Sequence, residues 1–283
     1  MNAISDPGEN NPALLDRAGR QGNSRLAKLA HLSLSNVKSS IGKLLWRLRN
    51  RPARFARIEW KTPLFTLLLL IVMAVVLLDA PLGAFRGRWP AYMWIPAEYI
   101  TLLGLSGLFI IPAAIVLAAA NLTDWSAQSR RGLLILYNRT TLALFVVTAT
   151  GLSGLISVVL KYAIGRARPE YYHELGMMAF KPLAFHAYFA SFPSGHSTTV
   201  GSVAALLILF FPQSRFYVIP LAVCIAATRI VVGAHYPSDV VAGFAFGFAA
   251  TLFTAIVFAR LGYIFEQVPS GMPTVKKSAR ILW

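Results

Sequence analysis

The chain is poor in charge, in acid and in cysteine. Only 13% of its 283 residues are charged, where an average soluble domain carries roughly a quarter. That scarcity excludes an ordinary soluble enzyme, a coiled coil and a disordered tail protein. Cys224 is the only cysteine, which rules out a disulfide framework and a cysteine-rich metal site; set in an apolar run, it reads as a small buried residue. The 11 acidic residues, against 27 basic ones, form no cluster of carboxylates suited to a hard cation, so neither a metal nor another cofactor is expected. Alternation with period two over barrel-length stretches is missing as well, which disfavours a β-barrel.

What the chain has instead is apolar length, with 56% of residues hydrophobic. A bilayer core of about 30 Å takes roughly 20 helical residues. Six segments meet or approach that length: 63–78, 99–120, 140–160, 197–211, 216–233 and 240–262. The fourth and fifth are separated only by Pro212, Gln213, Ser214 and Arg215, a tight helical hairpin. The expected fold is all-α: a polytopic membrane protein with six transmembrane helices in a bundle. It divides into a basic tail over 1–61, a six-helix membrane domain over 62–263 and a C-terminal tail over 264–283. The first segment begins too far into the chain, and is too closely flanked by charge, to be a cleaved signal peptide.

The tail holds 12 Lys/Arg and four acids, Asp6, Glu9, Asp16 and Glu59. Its opening stretch, rich in Asn, Gly and Pro, is expected to be disordered. Val37, Ile41, Leu44, Leu45 and Leu48 then recur at helical spacing among Lys38, Lys43, Arg47 and Arg49, which predicts an amphipathic interfacial helix near 35–50 lying on an anionic leaflet. The plainer alternative is a solvated basic tail that only sets topology. Because this charge abuts a membrane span, a lipid surface and not nucleic acid is the expected partner. With the N-terminus in the cytoplasm, twenty Lys/Arg fall on the cytoplasmic side and seven on the opposite one. That is the bias a membrane protein follows, and six spans then place both termini inside.

The outer face gathers the chemistry. Lys161 to Pro169 follow the third span, Ser191 to Ser197 precede the fourth, and Thr228 to Asp239 join the fifth to the sixth, so three polar clusters emerge at one membrane depth. Lys161, Arg168 and Arg229 supply cations, and guanidinium forks match phosphate oxygens. Pro193-Ser194-Gly195 opens a helix whose free amides face an anion, and Gly195 allows close backbone approach. His196 and His235 can serve as acid and nucleophile near neutral pH. Asp239, one helical turn beyond His235, can orient its ring.

These residues resemble the type 2 phosphatidic acid phosphatase family, relatives of vanadium haloperoxidases and glucose-6-phosphatase. Its pattern of K-x6-RP, PSGH and SR-x5-H-x3-D is matched by Lys161…Arg168-Pro169, Pro193–His196 and Thr228-Arg229…His235…Asp239. Thr228 stands where serine is usual and keeps the hydroxyl. The resemblance implies a metal-independent membrane lipid phosphatase. His235 would attack phosphorus to give a phosphohistidine, held by Asp239, and His196 would protonate the leaving oxygen and then activate water. Lys161, Arg168, Ser194, Gly195 and Arg229 would bind the phosphate. Candidate substrates are phosphatidic acid, phosphatidylglycerol phosphate, undecaprenyl diphosphate and lipid A. The compact six-span form favours a bacterial envelope lipid, and hence an inner membrane with the site facing the periplasm. Two other functions share these features: a membrane phosphotransferase passing the phosphoryl group to an alcohol, and an idle lipid-binding or transport protein. Nothing in the sequence specifies an oligomeric state.

The remaining polar residues have plainer assignments. Arg166, inside the first motif but off its fixed positions, is either an accessory phosphate contact or solvent-exposed. Asp79 and Glu98 are expected at the interface. His173 and His186, among the aromatics of 170–192, fit an interfacial belt better than headgroup recognition. Gly243 and Gly247 form a G-x-x-x-G suited to close helix packing.

Overall fold

The computed structural model describes residues 12–50, 59–268 and 272–282. A long helix α1, Pro12–Asn50, is followed by α2, Lys61–Ala84, α3, Ala91–Asn121, α4, Arg130–Ile164, α5, Gly195–Phe210, α6, Pro212–Val231, and α7, Pro237–Arg260. Among the described residues α2, α3, α4, α6 and α7 are long and apolar enough to cross a membrane. The sixth expected span is the shorter α5, whose 16 residues reach only about 24 Å at 1.5 Å each. The chain is thus a helical, multi-pass membrane protein. The outer surface of α2 presents Phe65, Leu69, Val72 and Val76 outward, an apolar face suited to lipid.

Local sequence explains how the helices begin and end. Ser129 caps α4, its side chain accepting from the Gly132 amide, and Gly165 closes the same helix in the left-handed conformation at φ 65°, where glycine is unstrained. Pro90 precedes α3, and Pro237 occupies the first turn of α7, where its missing N–H costs nothing. Two irregularities matter for the site. In α2 a wide π turn spans Val75–Asp79, and α3 is interrupted by a 3-10 turn at Thr101–Gly104.

Helices α5 and α7 form the centre of the bundle. A Cβ at Gly247 would lie 1.9 Å from the Thr198 carbonyl oxygen, and one at Gly243 would lie 2.3 Å from that of Ser194. The G-x-x-x-G therefore lets two backbones touch, as expected. At the end remote from the motif residues, Phe145, Phe258 and Phe265 pack edge to face. Phe265 belongs to a small antiparallel hairpin, Phe265–Glu266 with Thr274–Val275. The C-terminal segment is thus partly built into the core, with Phe265 and Val275 buried, where a tail was expected.

The N-terminal helix is longer than the expected 35–50, extending back to Pro12 through good helix formers such as Ala, Leu, Lys and Arg. The disorder expected at the very start lies outside the described residues. Asn36 donates to the carbonyls of Asn121 and Thr123 at the end of α3, and Arg47 donates to those of Leu261 and Gly262 after α7. Helix α1 thereby satisfies free carbonyls at the end of the bundle opposite the motif residues. Cys224, expected inside, is exposed, because α6 is peripheral and turns much of its apolar surface outward.

Candidate active site

The end of α4, the start of α5, the end of α6 and the start of α7 converge on one side of the bundle. Lys161 lies at the end of α4, its Nζ 3.5 Å from where a Cβ on Gly195 would sit. The ammonium therefore lies over the first residue of α5, and glycine leaves the room. The charges of Lys161, Arg168 and Arg229 act on one another, and all three are half-buried. Among the described residues none of the three is paired with a carboxylate. Arg229 donates through Nη1 to Thr101 Oγ1 at 3.0 Å, while its Nε is buried without a partner. A desolvated guanidinium nitrogen with no acceptor marks a place for an anion.

Ser194 is fully buried and caps α5, accepting from the Ser197 amide and hydroxyl. The structure gives it a capping contact and brings the start of the helix, Gly195 and His196, to the open side. His196 and Gly195 border a cleft of about 310 Å³ that continues between α3 and α4 past Gly151 and Gly154. Gly104, set by the interruption in α3, belongs to the facing wall; a Cβ there would come within 3.0 Å of the His196 side chain.

His235 lies on the turn between α6 and α7, 3% exposed. Its Nδ1 faces Asp239 Oδ2 at 3.7 Å, beyond hydrogen-bond range, and is buried with no other hydrogen-bond partner. Burial pushes the ring down to about 4 against the opposing pull of Asp239, so the imidazole is neutral at ordinary pH. Asp239 is fully enclosed and accepts three hydrogen bonds. Its Oδ1 accepts from Arg166 at 2.6 Å, and its Oδ2 accepts from Ser191 Oγ at 2.6 Å and the Tyr236 amide at 2.9 Å.

Arg166 therefore does something that the sequence did not convey. It is 2% exposed, not solvated and not part of the cation cradle, and binds Asp239 on one side and Asp79 at 2.8 Å on the other. Burial works against its charge, but the two carboxylates more than offset this and hold its pKa above the usual value. Asp79, expected at the interface, is fully buried because the π turn carries it inward to Arg166 and Ser238. The signals were faint: an acid closing an apolar run, and an arginine two residues before the motif's own. Glu98 is exposed, as are His173 and His186. Among the described residues no three His, Cys, Asp or Glu side chains are grouped to share a metal.

Residues 142–263 match the PAP2 superfamily. The chain is 40% identical over 227 residues to the lipid A 1-phosphatase of Rhizobium johnstonii, covering 79% of this chain and 91% of that protein. It is 39% identical to the lipid A 1-phosphatase of Rhizobium etli, covering 78% and 94%. A more distant similarity, 28% over 52% of this chain and 66% of the relative, is to phosphatidylglycerophosphatase B of Bacillus subtilis.

Proposed function

The chain belongs to the PAP2 superfamily, and from that premise we propose that it is a membrane-embedded lipid phosphatase whose substrate is the 1-phosphate of lipid A. The observation that carries this reading is the set of three cations, Lys161, Arg168 and Arg229, unpaired among the described residues and gathered at the start of α5 beside two histidines. Support for that substrate comes from the two lipid A 1-phosphatases, of whose length this chain covers 91% and 94% at 39–40% identity. The cleft leading from His196 between α3 and α4 offers an acyl chain a route out of the bilayer.

In the proposed reaction His235 Nε2 forms a bond to phosphorus as the bond to the leaving oxygen breaks, and His196 gives that oxygen its proton. His196 then takes a proton from water, whose oxygen displaces the imidazole and releases inorganic phosphate. The cations and the amides at the start of α5, Gly195 among them, carry the charge that grows on the phosphoryl oxygens. Ser194 serves the same cradle by fixing the end of that helix.

The site is proposed to face the periplasm from an inner membrane, with α5 completing six crossings and both termini in the cytoplasm, as the basic bias favours. Helix α1 is proposed to lie on the anionic cytoplasmic leaflet. Leu34, Val37, Ile41, Leu45 and Leu48 are exposed along it, flanked by Lys38 and Arg49, while Asn36 and Arg47 hold another face to the bundle.

The test is phosphate release by purified protein across a panel of lipid A, phosphatidylglycerol phosphate, phosphatidic acid and undecaprenyl diphosphate, with and without alcohol acceptors. Release from lipid A well above the others is expected. Transfer to alcohol in preference to water would make the protein a phosphotransferase, and no turnover of any lipid would leave only binding.

A further inference from the structure

A buried and densely hydrogen-bonded polar network lies behind His235. Arg166 Nη1 donates to Asp239 Oδ1 at 2.6 Å and to Ser238 Oγ at 2.7 Å, while Nη2 donates to Asp79 Oδ2 at 2.8 Å. Asp79 in turn accepts from the Ser238 amide at 3.0 Å and from its hydroxyl at 2.5 Å. All four side chains are nearly or fully buried. One guanidinium is therefore shared between two carboxylates, one on the first membrane helix and the other one turn from His235.

This sharing has consequences for Asp239. Removing charges from water is costly unless they are paired and hydrogen-bonded, and Asp79 is a second buried acid close to Asp239. Were Arg166 to serve Asp239 alone, its whole positive charge would bear on the carboxylate that must support the His235 ring. Asp79 draws part of that charge away and fixes the plane of the guanidinium. Through the Ser238 amide and hydroxyl it also pins the first turn of α7, on which Asp239 stands. The π turn at Val75–Asp79 is what delivers the carboxylate to this depth, and such turns cluster at functional sites. Ionisable groups at membrane depth carry function more often than stability.

We propose that Asp79 is a positioning residue that acts through Arg166 and Ser238 on Asp239, and so sets the orientation of the His235 ring from the first membrane helix. The proposal rests on the phosphatase reading above. It makes α2, which lies outside the matched segment 142–263, part of the apparatus that turns the substrate over.

The test is a double-mutant cycle on the full chain in lipid nanodiscs, reading kcat and KM for phosphate release from lipid A. Asp79→Asn should lower kcat at least tenfold with KM within twofold, since Lys161, Arg168 and Arg229 are untouched. Asp239→Asn should lower kcat further. The double variant should be no slower than Asp239→Asn alone within twofold, because the influence of Asp79 passes through Asp239. A loss at Asp79 that multiplies with that at Asp239, a change in KM alone, or an unchanged kcat would overturn the proposal. Should Asp79→Asn fail to fold, Ser238→Ala keeps every charge and should show the same pattern at about threefold; full kcat in that variant would count against the relay. A wild-type chain that releases no phosphate from any lipid would defeat the proposed function and the positioning role with it. An active wild type indifferent to Asp79 would defeat the positioning role alone.

Discussion

A neutral imidazole is the form a nucleophile requires, and His235 is kept neutral by burial. Burial pushes the ring's pKa down to about 4 in the folded protein, from about 6.5 when unfolded. The unfolded chain therefore binds a proton that the folded chain refuses until lower pH. The contribution of this group to stability is full above about pH 6.5 and is lost as pH falls toward 4. Thermal midpoints of the wild type should drop across that window, and His235→Gln should flatten the drop; an unaltered slope would assign it to other groups. His235→Ala should cut turnover by at least about 1,000-fold, with a smaller loss for Asp239→Asn, where a misoriented ring remains. Both are read from kcat in detergent-purified protein. The cradle residues were legible in the sequence because Lys161, Arg168, Arg229 and the two histidines keep fixed spacing within short stretches beside span ends. Asp79, Thr101 and Arg166 were not. Thr101 meets Arg229 across 128 positions, and Asp79 meets Arg166 across 87 and Ser238 across 159. No local pattern encodes such pairings, which depend on where a π turn and a broken helix deliver a side chain.

Contact between α5 and α7 holds the two halves of the site at a fixed distance, since α5 carries His196 and α7 carries Asp239. A methyl group at Gly247 would collide with a backbone oxygen, which no rotamer change relieves. Gly247→Ala should therefore separate the helices and lower the thermal midpoint by about 5 °C, within the 1–3 kcal/mol expected of overpacking, and should lower kcat as well. Gly154→Ala on α4 is the matched control. Nothing lies within 4 Å of the added atom, and the midpoint should hold or rise slightly. Equal effects at the two glycines would mean that helix propensity, not contact, is responsible. The G-x-x-x-G spacing made this packing legible beforehand. The interruption of α3 is only weakly signalled, because Gly104, Ser106 and Gly107 are small residues that membrane helices also carry without breaking. The hairpin at Phe265 has no sequence signature, because two residues per strand are too few to show a period.

At the scale of the whole molecule, the basic bias favours one orientation and the helix ends bring the candidate site together. Helix α1 caps the bundle at the end opposite His235, and we propose that the basic tail and the cation cradle lie on opposite sides of the membrane. Single cysteines placed in the loop 170–192, in a Cys224→Ala background, should react with an impermeant maleimide in cells whose outer membrane alone has been opened. Labelling only after lysis of the inner membrane would reverse the orientation. Charge also governs the metal requirement. Three cations and a helix start already offset the phosphate, so turnover should survive excess chelator, and loss restored by magnesium would show otherwise. We propose that the phosphoryl group passes through His235 before it reaches water. Two in-line displacements each invert phosphorus, so hydrolysis of a substrate chiral at phosphorus in isotopically labelled water should give phosphate with net retention of configuration. Net inversion would mean that water attacks directly and that His235 is not the nucleophile.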